Sequence, residues 1–224
     1  MRRLTLIRHG LTEGNVRRWY YGALDLPLCE AGQAAVQEAA AGGLYPPYSG
    51  ERILTSGMLR TEQTLRLIYG EAPHEIWPEL REISFGIFEG KSYDELKGLA
   101  EYEAWLAGDW FQNVPPGGES FAQAEARILS ALSRMRAQDE DLLAVVHGGL
   151  LPADLGGDLD PLALFQALGL VILAQEAEEA DVLGAAGHGV APGDEGALGQ
   201  LHAGHGLGPE DHGLAGVPLW VLLD

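Results

Sequence analysis

Short strand-like runs alternate with helical segments over the first two thirds of the chain. Runs of strand length and apolar character occupy residues 4–8, 52–55 and 142–146. Segments typical of helices, with apolar residues three and four apart or with many alanines, occupy residues 30–41, 58–69, 92–106 and 119–137. Because strands that alternate with helices form parallel sheets, this order predicts an α/β fold with a mostly parallel central sheet and helices on both faces.

The helical segments also predict which side chains pack on the sheet. The buried face of segment 119–137 is expected to consist of Phe121, Ala124, Ile128, Leu132 and Met135. The buried face of segment 58–69 is expected to consist of Met58, Leu59, Leu65 and Ile68. Segment 92–106 predicts one or two short helices, and its aromatic residues are interpreted as packing residues.

Charged and imidazole side chains stand close to where the strand-like runs end. Arg8 and His9 close the first run, His147 directly follows the third, and Arg60 lies five residues beyond the second. An isolated arginine is usually a surface residue, and an isolated histidine after a strand is usually structural. Their shared position favours function instead, because parallel strands deliver the residues at their carboxyl ends to one crevice.

Several motifs occur in a fixed order around these residues. They are Arg8-His9-Gly10-x-Thr12-x-x-Asn15, Gly22-x-x-Asp25-x-Pro27-Leu28, and the segments that contain Arg60, Glu82 and His147. At these residues the chain resembles the histidine phosphatase superfamily, whose phosphoglycerate mutase-like fold is therefore expected. The Pro-Pro-Gly-Gly-Glu-Ser loop at 115–120 is similar to that of the small phosphatase branch and of α-ribazole phosphatases, but neighbouring subgroups share it. The resemblance extends to about residue 149 and is poor beyond it.

The residue types fit attack on a phosphate monoester. Arg8 and Arg60 can each fork onto phosphoryl oxygens and offset their negative charge. A neutral His9 would attack phosphorus with one ring nitrogen while the other nitrogen donates to a backbone carbonyl. His147 is expected to be a charged or donating group on the same phosphoryl oxygens.

Glu82 is the expected proton carrier of this reaction. It would protonate the departing alkoxide and then accept a proton from the water that hydrolyses the phosphohistidine. The alternative is an exposed ion pair with the neighbouring Arg81, in which case Glu89 becomes the next candidate.

Three catalytic residues and three others are expected to bind the substrate, namely Arg8, Arg60, His147, Asn15, Gly22 and Gly148. Asn15 and Gly22 match positions that line the phosphate pocket in the family that the chain resembles, but Asn15 could equally cap the next helix. Cys29 stands where this family usually has Thr or Ser at the start of the second helix, which predicts a weaker cap there.

Composition limits the location and the partners. With 224 residues, 46% of them hydrophobic, the chain can form one sizeable α/β core. No apolar run approaches 18 residues, no signal-peptide core precedes Arg8, and the single cysteine cannot form an internal disulfide, so a cytoplasmic location is expected. The net charge of −19 argues against nucleic acid and anionic membranes as partners. A small phosphorylated metabolite is the expected partner, and a homodimer is left open.

The negative charge is concentrated in an atypical C-terminal part. Residues 137–224 contain 15 acidic residues and neither Lys nor Arg. We predict a histidine phosphatase domain at 1–175 and a poorly ordered acidic tail, rich in Gly and His, at 176–224. The tail is interpreted either as a genuine extension or as the product of a reading-frame shift after His147. Residues 168–173 could form a core strand, and residues 217–223 an edge or loose terminal strand because of Pro218.

No metal or cofactor is expected. His202 and His205 are the one close histidine pair of the tail, and their glycine-rich surroundings offer a metal no rigid scaffold. In the reaction itself, the arginines and histidines supply the positive charge that a metal ion supplies elsewhere.

Two other functions compete with a phosphatase. A phosphoglycerate mutase must return the phosphoryl group to the substrate, and the mutases that the chain resembles have a longer insertion between the positions of Glu82 and His147. A phosphate-binding module would need the arginines but not an acid such as Glu82, and an altered C-terminal third could leave such a weakly active pocket. Hydrolysis is therefore the favoured prediction.

Overall fold

The computed structural model describes residues 3–148 and, by their backbone alone, residues 220–223. The strands are β1 (Leu4–Arg8), β2 (Trp19–Tyr20), β3 (Arg52–Thr55), β4 (His74–Ile76), β5 (Lys91–Ser92), β6 (Leu142–Val146) and β7 (Trp220–Leu223). The helices are α1 (Glu13–Val16), α2 (Glu30–Ala41), α3 (Leu59–Tyr69), α4 (Tyr93–Leu96), α5 (Ala100–Leu106) and α6 (Phe121–Arg136). Short 3₁₀ turns occupy Pro78–Leu80 and Gly86–Phe88.

The central sheet has five strands in the order β4-β3-β6-β1-β7. The pairs β4–β3, β3–β6 and β6–β1 are parallel, and β7 runs antiparallel to β1 at the edge. The sheet is therefore mostly parallel, as the alternation of strands and helices predicted. Strands β2 and β5 form a separate two-stranded sheet.

Strand β6 packs on helices from both faces. Leu142, Ala144 and Val146 belong to a core cluster with residues of α6, while Leu143 and Val145 belong to a cluster with residues of α2 and α3. Successive strand residues point to opposite faces, so a strand covered on both sides must be apolar throughout. Burying each of the leucine and valine side chains stabilises the fold by about 1.5–3 kcal/mol.

The apolar face predicted for α6 is confirmed. Its five predicted residues are all buried, and Ala131 is buried with them. Ser120 begins the helix with a capping box, in which its hydroxyl accepts from the amide of Gln123 and the Gln123 side chain accepts from the amide of Ser120.

The face predicted for α3 is partly wrong. Met58 and Leu65 are buried, but Leu59 is 47% exposed, and the inward side of the helix carries the polar residues Arg60, Thr61 and Thr64 instead. The first turns of α3 face the carboxyl ends of the strands, where polar groups have hydrogen-bond partners, and hydrophobic spacing alone does not reveal this.

An aromatic cluster lies beside the two-stranded sheet. Its buried rings are Tyr20, Phe85, Phe88, Tyr102, Trp105 and Phe121. The hydroxyls of Tyr20 and Tyr102 are 2.6 Å apart, and the ring of Trp105 stacks on that of Phe121. The packing role expected for the aromatic residues of segment 92–106 is thus confirmed for Tyr102 and Trp105.

Much of the predicted tail lies outside the described residues. This applies to the domain boundary at 175, the strand at 168–173, the order of the tail and the pair His202 and His205. Residues 220–223 are described, and they form the edge strand β7, as expected for residues 217–223. Among the described residues, no helix combines the length and the hydropathy needed to cross a membrane.

Candidate active site

The sheet register brings the ends of three strands together. Arg8 pairs with Val146 across β1 and β6, and Thr55 pairs with Val145 across β3 and β6. The residues that follow these strands are therefore neighbours, namely His9, Ser56 and His147. The ring centroids of His9 and His147 are 5.2 Å apart.

His9 is held in the tautomer that a nucleophile needs. Its Nδ1 lies 2.7 Å from the carbonyl oxygen of Gly10, which can only accept, so Nδ1 carries the proton and Nε2 has a free lone pair. Burial and the positive charges of Arg60 and Arg8 lower the pKa of His9 well below its ordinary value of 6.5. The imidazole is therefore neutral at neutral pH, as expected.

The peptide of Gly10 is fixed in turn by α3. Its amide donates to the hydroxyl of Thr64 at 2.9 Å, and that hydroxyl donates to the carbonyl of Arg60 at 2.7 Å. A Cβ at position 10 would lie 2.7 Å from Val36, so the close approach of this loop to α2 requires glycine. The acceptor of the His9 proton is thereby held rigidly.

Arg60 is fully buried and most of its donors are engaged. Its Nε donates to Nδ1 of His147 at 3.1 Å, and its two terminal nitrogens donate to the carbonyls of Leu24 and Gly22 at 3.1 and 2.8 Å. The ring of Tyr21 lies 5.2 Å from the guanidinium carbon. A guanidinium has five N–H donors, and these three hydrogen bonds use three of them.

His147 accepts a hydrogen bond with one ring nitrogen and donates one with the other. Because Arg60 can only donate, Nδ1 of His147 must accept, and Nε2 then donates to the hydroxyl of Ser56 at 2.8 Å. Burial and the charges of Arg60, His9 and Arg8 lower the pKa of His147 well below 6.5. In the free protein this imidazole is neutral; its Nδ1 holds Arg60, and its Nε2 is bonded to Ser56.

Arg8 and Asn15 offer donors that the described residues leave unused. The guanidinium of Arg8 has no hydrogen bond or ion pair among these residues, and it lies against Gly148, where a Cβ would be 3.4 Å from it. Asn15 does cap α1, because its Oδ1 accepts from the amide of Thr12 at 2.9 Å. Its side-chain nitrogen has no partner within 3–148 or 220–223, so the capping role and the binding role are compatible.

Gly22 supports the site through its backbone, and its amide is already engaged. Its amide donates to the carboxylate of Glu89 at 2.9 Å, and its carbonyl accepts from Arg60. A Cβ here would lie 1.6 Å from the carbonyl oxygen of Ile83, so no other residue fits. Its contact with the site runs through Arg60.

Glu82 lies beside this glycine. Its Cγ is 3.2 Å from the position a Cβ of Gly22 would take, and its Oε1 accepts from the amide of Ile83 at 3.0 Å. Glu82 is half-buried, and its negative charge partly offsets the lowering of the pKa of Arg60 by burial. Glu89 is a poor substitute as proton carrier, because its two oxygens already accept from four backbone amides.

The loop at 115–120 braces the segment that carries Glu82. Pro116 accepts from the amide of Ile87 at 3.0 Å, and Glu119 exchanges hydrogen bonds with the backbone of Ser84. Arg127 forms an ion pair of 2.6 Å with Glu119. The loop that suggested the phosphatase branch thus acts on the site by supporting residues 84–87.

Three residues of the site were missed in the sequence. Ser56 and Thr64 hold the two histidine loops, and Tyr21 lies on the guanidinium of Arg60. Ser56 directly follows β3, so the rule that singled out His9 and His147 could have found it. Nothing in the sequence marks Thr64 or Tyr21, because their roles depend on contacts across 54 and 39 residues.

Comparison with known proteins shows the family of the chain. The model of the histidine phosphatase superfamily, branch 1, matches residues 4–159. The chain belongs to the histidine phosphatase superfamily. It is 35% identical over 155 residues to the adenosylcobalamin/alpha-ribazole phosphatase of Salmonella typhimurium, covering 66% of this chain and 75% of that protein. It is 33% identical over 165 residues to a 2,3-bisphosphoglycerate-dependent phosphoglycerate mutase of Methylobacterium radiotolerans, covering 68% and 76%.

Solved structures of the superfamily share the fold. The alpha-ribazole phosphatase from Shigella flexneri matches with a TM-score of 0.63 and 31% identity, covering 73% of this chain and 84% of that one. The superfamily thus includes both phosphatases and mutases among the relatives of this chain.

Proposed function

We propose that this protein is a phosphomonoesterase that hydrolyses a small phosphorylated metabolite through a phosphohistidine on His9. The single observation that carries the proposal is the hydrogen bond from Nδ1 of His9 to Gly10, which leaves Nε2 with a lone pair next to Arg8 and Arg60. A neutral imidazole between two guanidinium groups is suited to attack a phosphoryl dianion.

The reaction has two steps. In the first, Nε2 of His9 bonds to phosphorus, the P–O ester bond breaks, and Glu82 gives its proton to the departing alkoxide. In the second, water attacks phosphorus, Glu82 accepts a proton from it, and the P–N bond breaks to restore neutral His9 and release inorganic phosphate. Arg8, Arg60 and the side-chain nitrogen of Asn15 donate to the phosphoryl oxygens in both steps.

Mutagenesis of the nucleophile tests this function. His9→Ala should abolish hydrolysis of p-nitrophenyl phosphate, and an alkaline quench of the unaltered enzyme with labelled substrate should trap phosphate on His9. His74→Ala, which changes an exposed histidine, is the matched control and should retain activity. Label trapped elsewhere, or turnover that survives His9→Ala, would remove the covalent mechanism. Activity should also persist in chelator, because the arginines supply the charge.

Hydrolysis is favoured over phosphoglycerate mutation by the 115–120 loop. This loop lies between Glu82 and His147 in the sequence and packs on residues 84–87. The mutases that the chain resembles have a longer insertion in the same interval. The relatives named alpha-ribazole phosphatase make the phosphate ester of α-ribazole the first substrate to assay, beside 3-phosphoglycerate. Release of inorganic phosphate supports a phosphatase, whereas an isomerised phosphoglycerate without phosphate release supports a mutase. The cytoplasmic location and the homodimer stay predictions.

A further inference from the structure

The loop at residues 22–25 is held between two opposite charges. On one side, Arg60 donates to the carbonyls of Gly22 and Leu24. On the other side, Glu89 accepts from the amides of Gly22, Ala23 and Leu24 at 2.9 to 3.1 Å. The three amides of residues 22–24 are therefore bonded to the carboxylate, and the carbonyls of Gly22 and Leu24 are bonded to the guanidinium.

One peptide group connects the two charges directly. The carbonyl of Gly22 and the amide of Ala23 belong to the same peptide; the carbonyl accepts from Arg60 at 2.8 Å and the amide donates to Glu89 at 3.0 Å. A peptide between a cation at its oxygen and an anion at its N–H is polarised by both, so the two hydrogen bonds strengthen each other. Low exposure of Arg60 increases this effect, because solvent does not screen it.

Glu89 also holds the segment that carries Glu82. Its Oε1 accepts from the amide of Phe85 at 2.9 Å, three residues after Glu82. The same carboxylate therefore joins the loop that positions the guanidinium of Arg60 to the segment that positions the proton carrier. Gly22 and Glu82, the first residues of these two segments, are 60 residues apart in the sequence.

We propose that Glu89 is a positioning residue of the phosphate site, which sets the guanidinium of Arg60 through the 22–25 loop and keeps Glu82 in register with it. This inference rests on the proposed function for the role of Glu82, but its effect on phosphate binding does not require turnover. Glu89 itself touches neither the substrate nor a reacting atom. Its carboxylate is a structural anion whose four amide donors come from both sides of the site.

Glu89→Gln tests the proposal. A glutamine has one acceptor oxygen in place of two, and its NH₂ group would face backbone amides, so the 22–25 loop should move and the carbonyl contacts with Arg60 should weaken. Hydrogen bonds to charged groups are strong enough that inorganic phosphate should bind about 10- to 100-fold more weakly. Calorimetric titration with inorganic phosphate measures this without any substrate.

Glu119→Gln is the matched control. Glu119 also accepts a backbone amide of the Glu82 segment, from Ser84, and it is similarly half-buried, but it has no bond to the 22–25 loop. The Glu119→Gln variant should have a lower melting temperature than the unaltered protein. Its affinity for inorganic phosphate should stay within about twofold, a change far smaller than that expected from the loss of a charged hydrogen bond at the phosphate site.

A double-mutant cycle with Arg60→Lys separates positioning from general damage. If Glu89 acts through Arg60, Glu89→Gln should weaken phosphate binding much less in the Arg60→Lys background than in the unaltered protein, because lysine lacks the fork that the loop holds. If Glu89→Gln does not fold, Glu89→Asp replaces it, since aspartate keeps the charge but is too short to keep all four bonds.

Each outcome decides between the alternatives. Weaker phosphate binding in the Glu89 variant, absent in Glu119→Gln and reduced in the cycle, supports the proposal even if the unaltered protein proves unable to hydrolyse esters. Unchanged phosphate affinity in a folded Glu89 variant, an equal loss in Glu119→Gln, or full additivity with Arg60→Lys would overturn it, even if the protein is an active phosphatase.

Discussion

Arg60 is the residue on which most contacts of the site converge. Its Nε is bonded to His147, its terminal nitrogens to the 22–25 loop, and its flat face to Tyr21. A long flexible side chain normally loses conformational entropy when it grips a ligand. Here that loss is met on folding, because these contacts already fix the guanidinium. Under the proposed function, Arg60 would therefore bind a phosphoryl group without reorganisation, which is the condition under which electrostatic stabilisation is most effective.

Glu82→Gln should separate substrates by their leaving group. A nitrophenolate leaves without protonation, whereas an alkoxide needs a proton, so the variant should lose about 10²- to 10⁴-fold in kcat/KM on an alkyl phosphate and far less on p-nitrophenyl phosphate. Steady-state rates for both esters check this. Glu79→Gln, which changes an exposed carboxylate on the same stretch of chain, is the control. Equal losses on both esters would make Glu82 structural.

The sequence could reveal the residues at the strand ends but not their roles in full. Arg8, His9 and His147 were recognisable because each adjoins a short apolar run. The neutral, accepting state of His147 was not, because it depends on a donor from α3, 87 residues away. The anchoring role of Glu89 was hidden for the same reason, since its four amide partners come together only in the folded chain.

At the scale of the elements, length decides what the sequence can predict. The bounds predicted for β1, β3, β6 and α2 agree with the structure. Strands β2, β4 and β5 have two or three residues, too few to show an alternation, and they were not predicted. The sequence also predicted a weaker cap at the start of α2. In the structure Cys29 caps this helix, and its sulfur accepts from the amide of Gly32 at 3.4 Å.

The end of α1 provides a test of backbone strain. Arg18 has a φ of 54°, a left-handed conformation that costs a residue with a Cβ about 1–2 kcal/mol. Arg18→Gly should therefore raise the free energy of unfolding by about 0.5–1 kcal/mol, after the greater freedom of glycine in the unfolded chain is subtracted. Thermal or urea denaturation measures the change.

Arg17→Gly is the natural control for this prediction. Arg17 is the preceding residue with a φ of −88°, so glycine relieves no strain there. The substitution also removes the ion pair with Glu13 and the contact over the ring of Trp19. It should lower stability, and a stabilisation of similar size by both substitutions would show that the φ of Arg18 is not the cause.

At the scale of the whole molecule, a positive site is built into an acidic protein. The net charge is −19, and all 14 Lys and Arg residues precede position 137. Two of these arginines meet two buried histidines at the carboxyl ends of β1, β3 and β6. Burial, and after it repulsion by the arginines, lowers the pKa of both histidines and keeps them neutral, which couples the stability of the protein to pH.

The free energy of unfolding should fall when the pH drops below neutrality. Burial together with Arg60 and Arg8 keeps the pKa of His9 and of His147 well below 6.5 in the folded protein. In the unfolded chain both values return to about 6.5, so below that pH the unfolded chain binds protons that the folded protein does not. Stability is then lost as the pH falls, by about 1.4 kcal/mol for each histidine between pH 7.5 and 5.5.

Urea denaturation at pH 7.5, 6.5 and 5.5 measures this loss, which should reach about 2.7 kcal/mol for the pair. The window ends at pH 5.5 because carboxylates with lowered pKa values, such as Asp141, add a loss of the same sign at more acidic pH. His147→Gln removes one titrating group and should halve the dependence on pH, whatever its effect on stability at pH 7.5. A flat profile in the unaltered protein would mean that both imidazoles keep their ordinary pKa when folded, and a stability that rises as the pH falls would mean that they are held charged, in which case His9 could not act as the nucleophile at neutral pH.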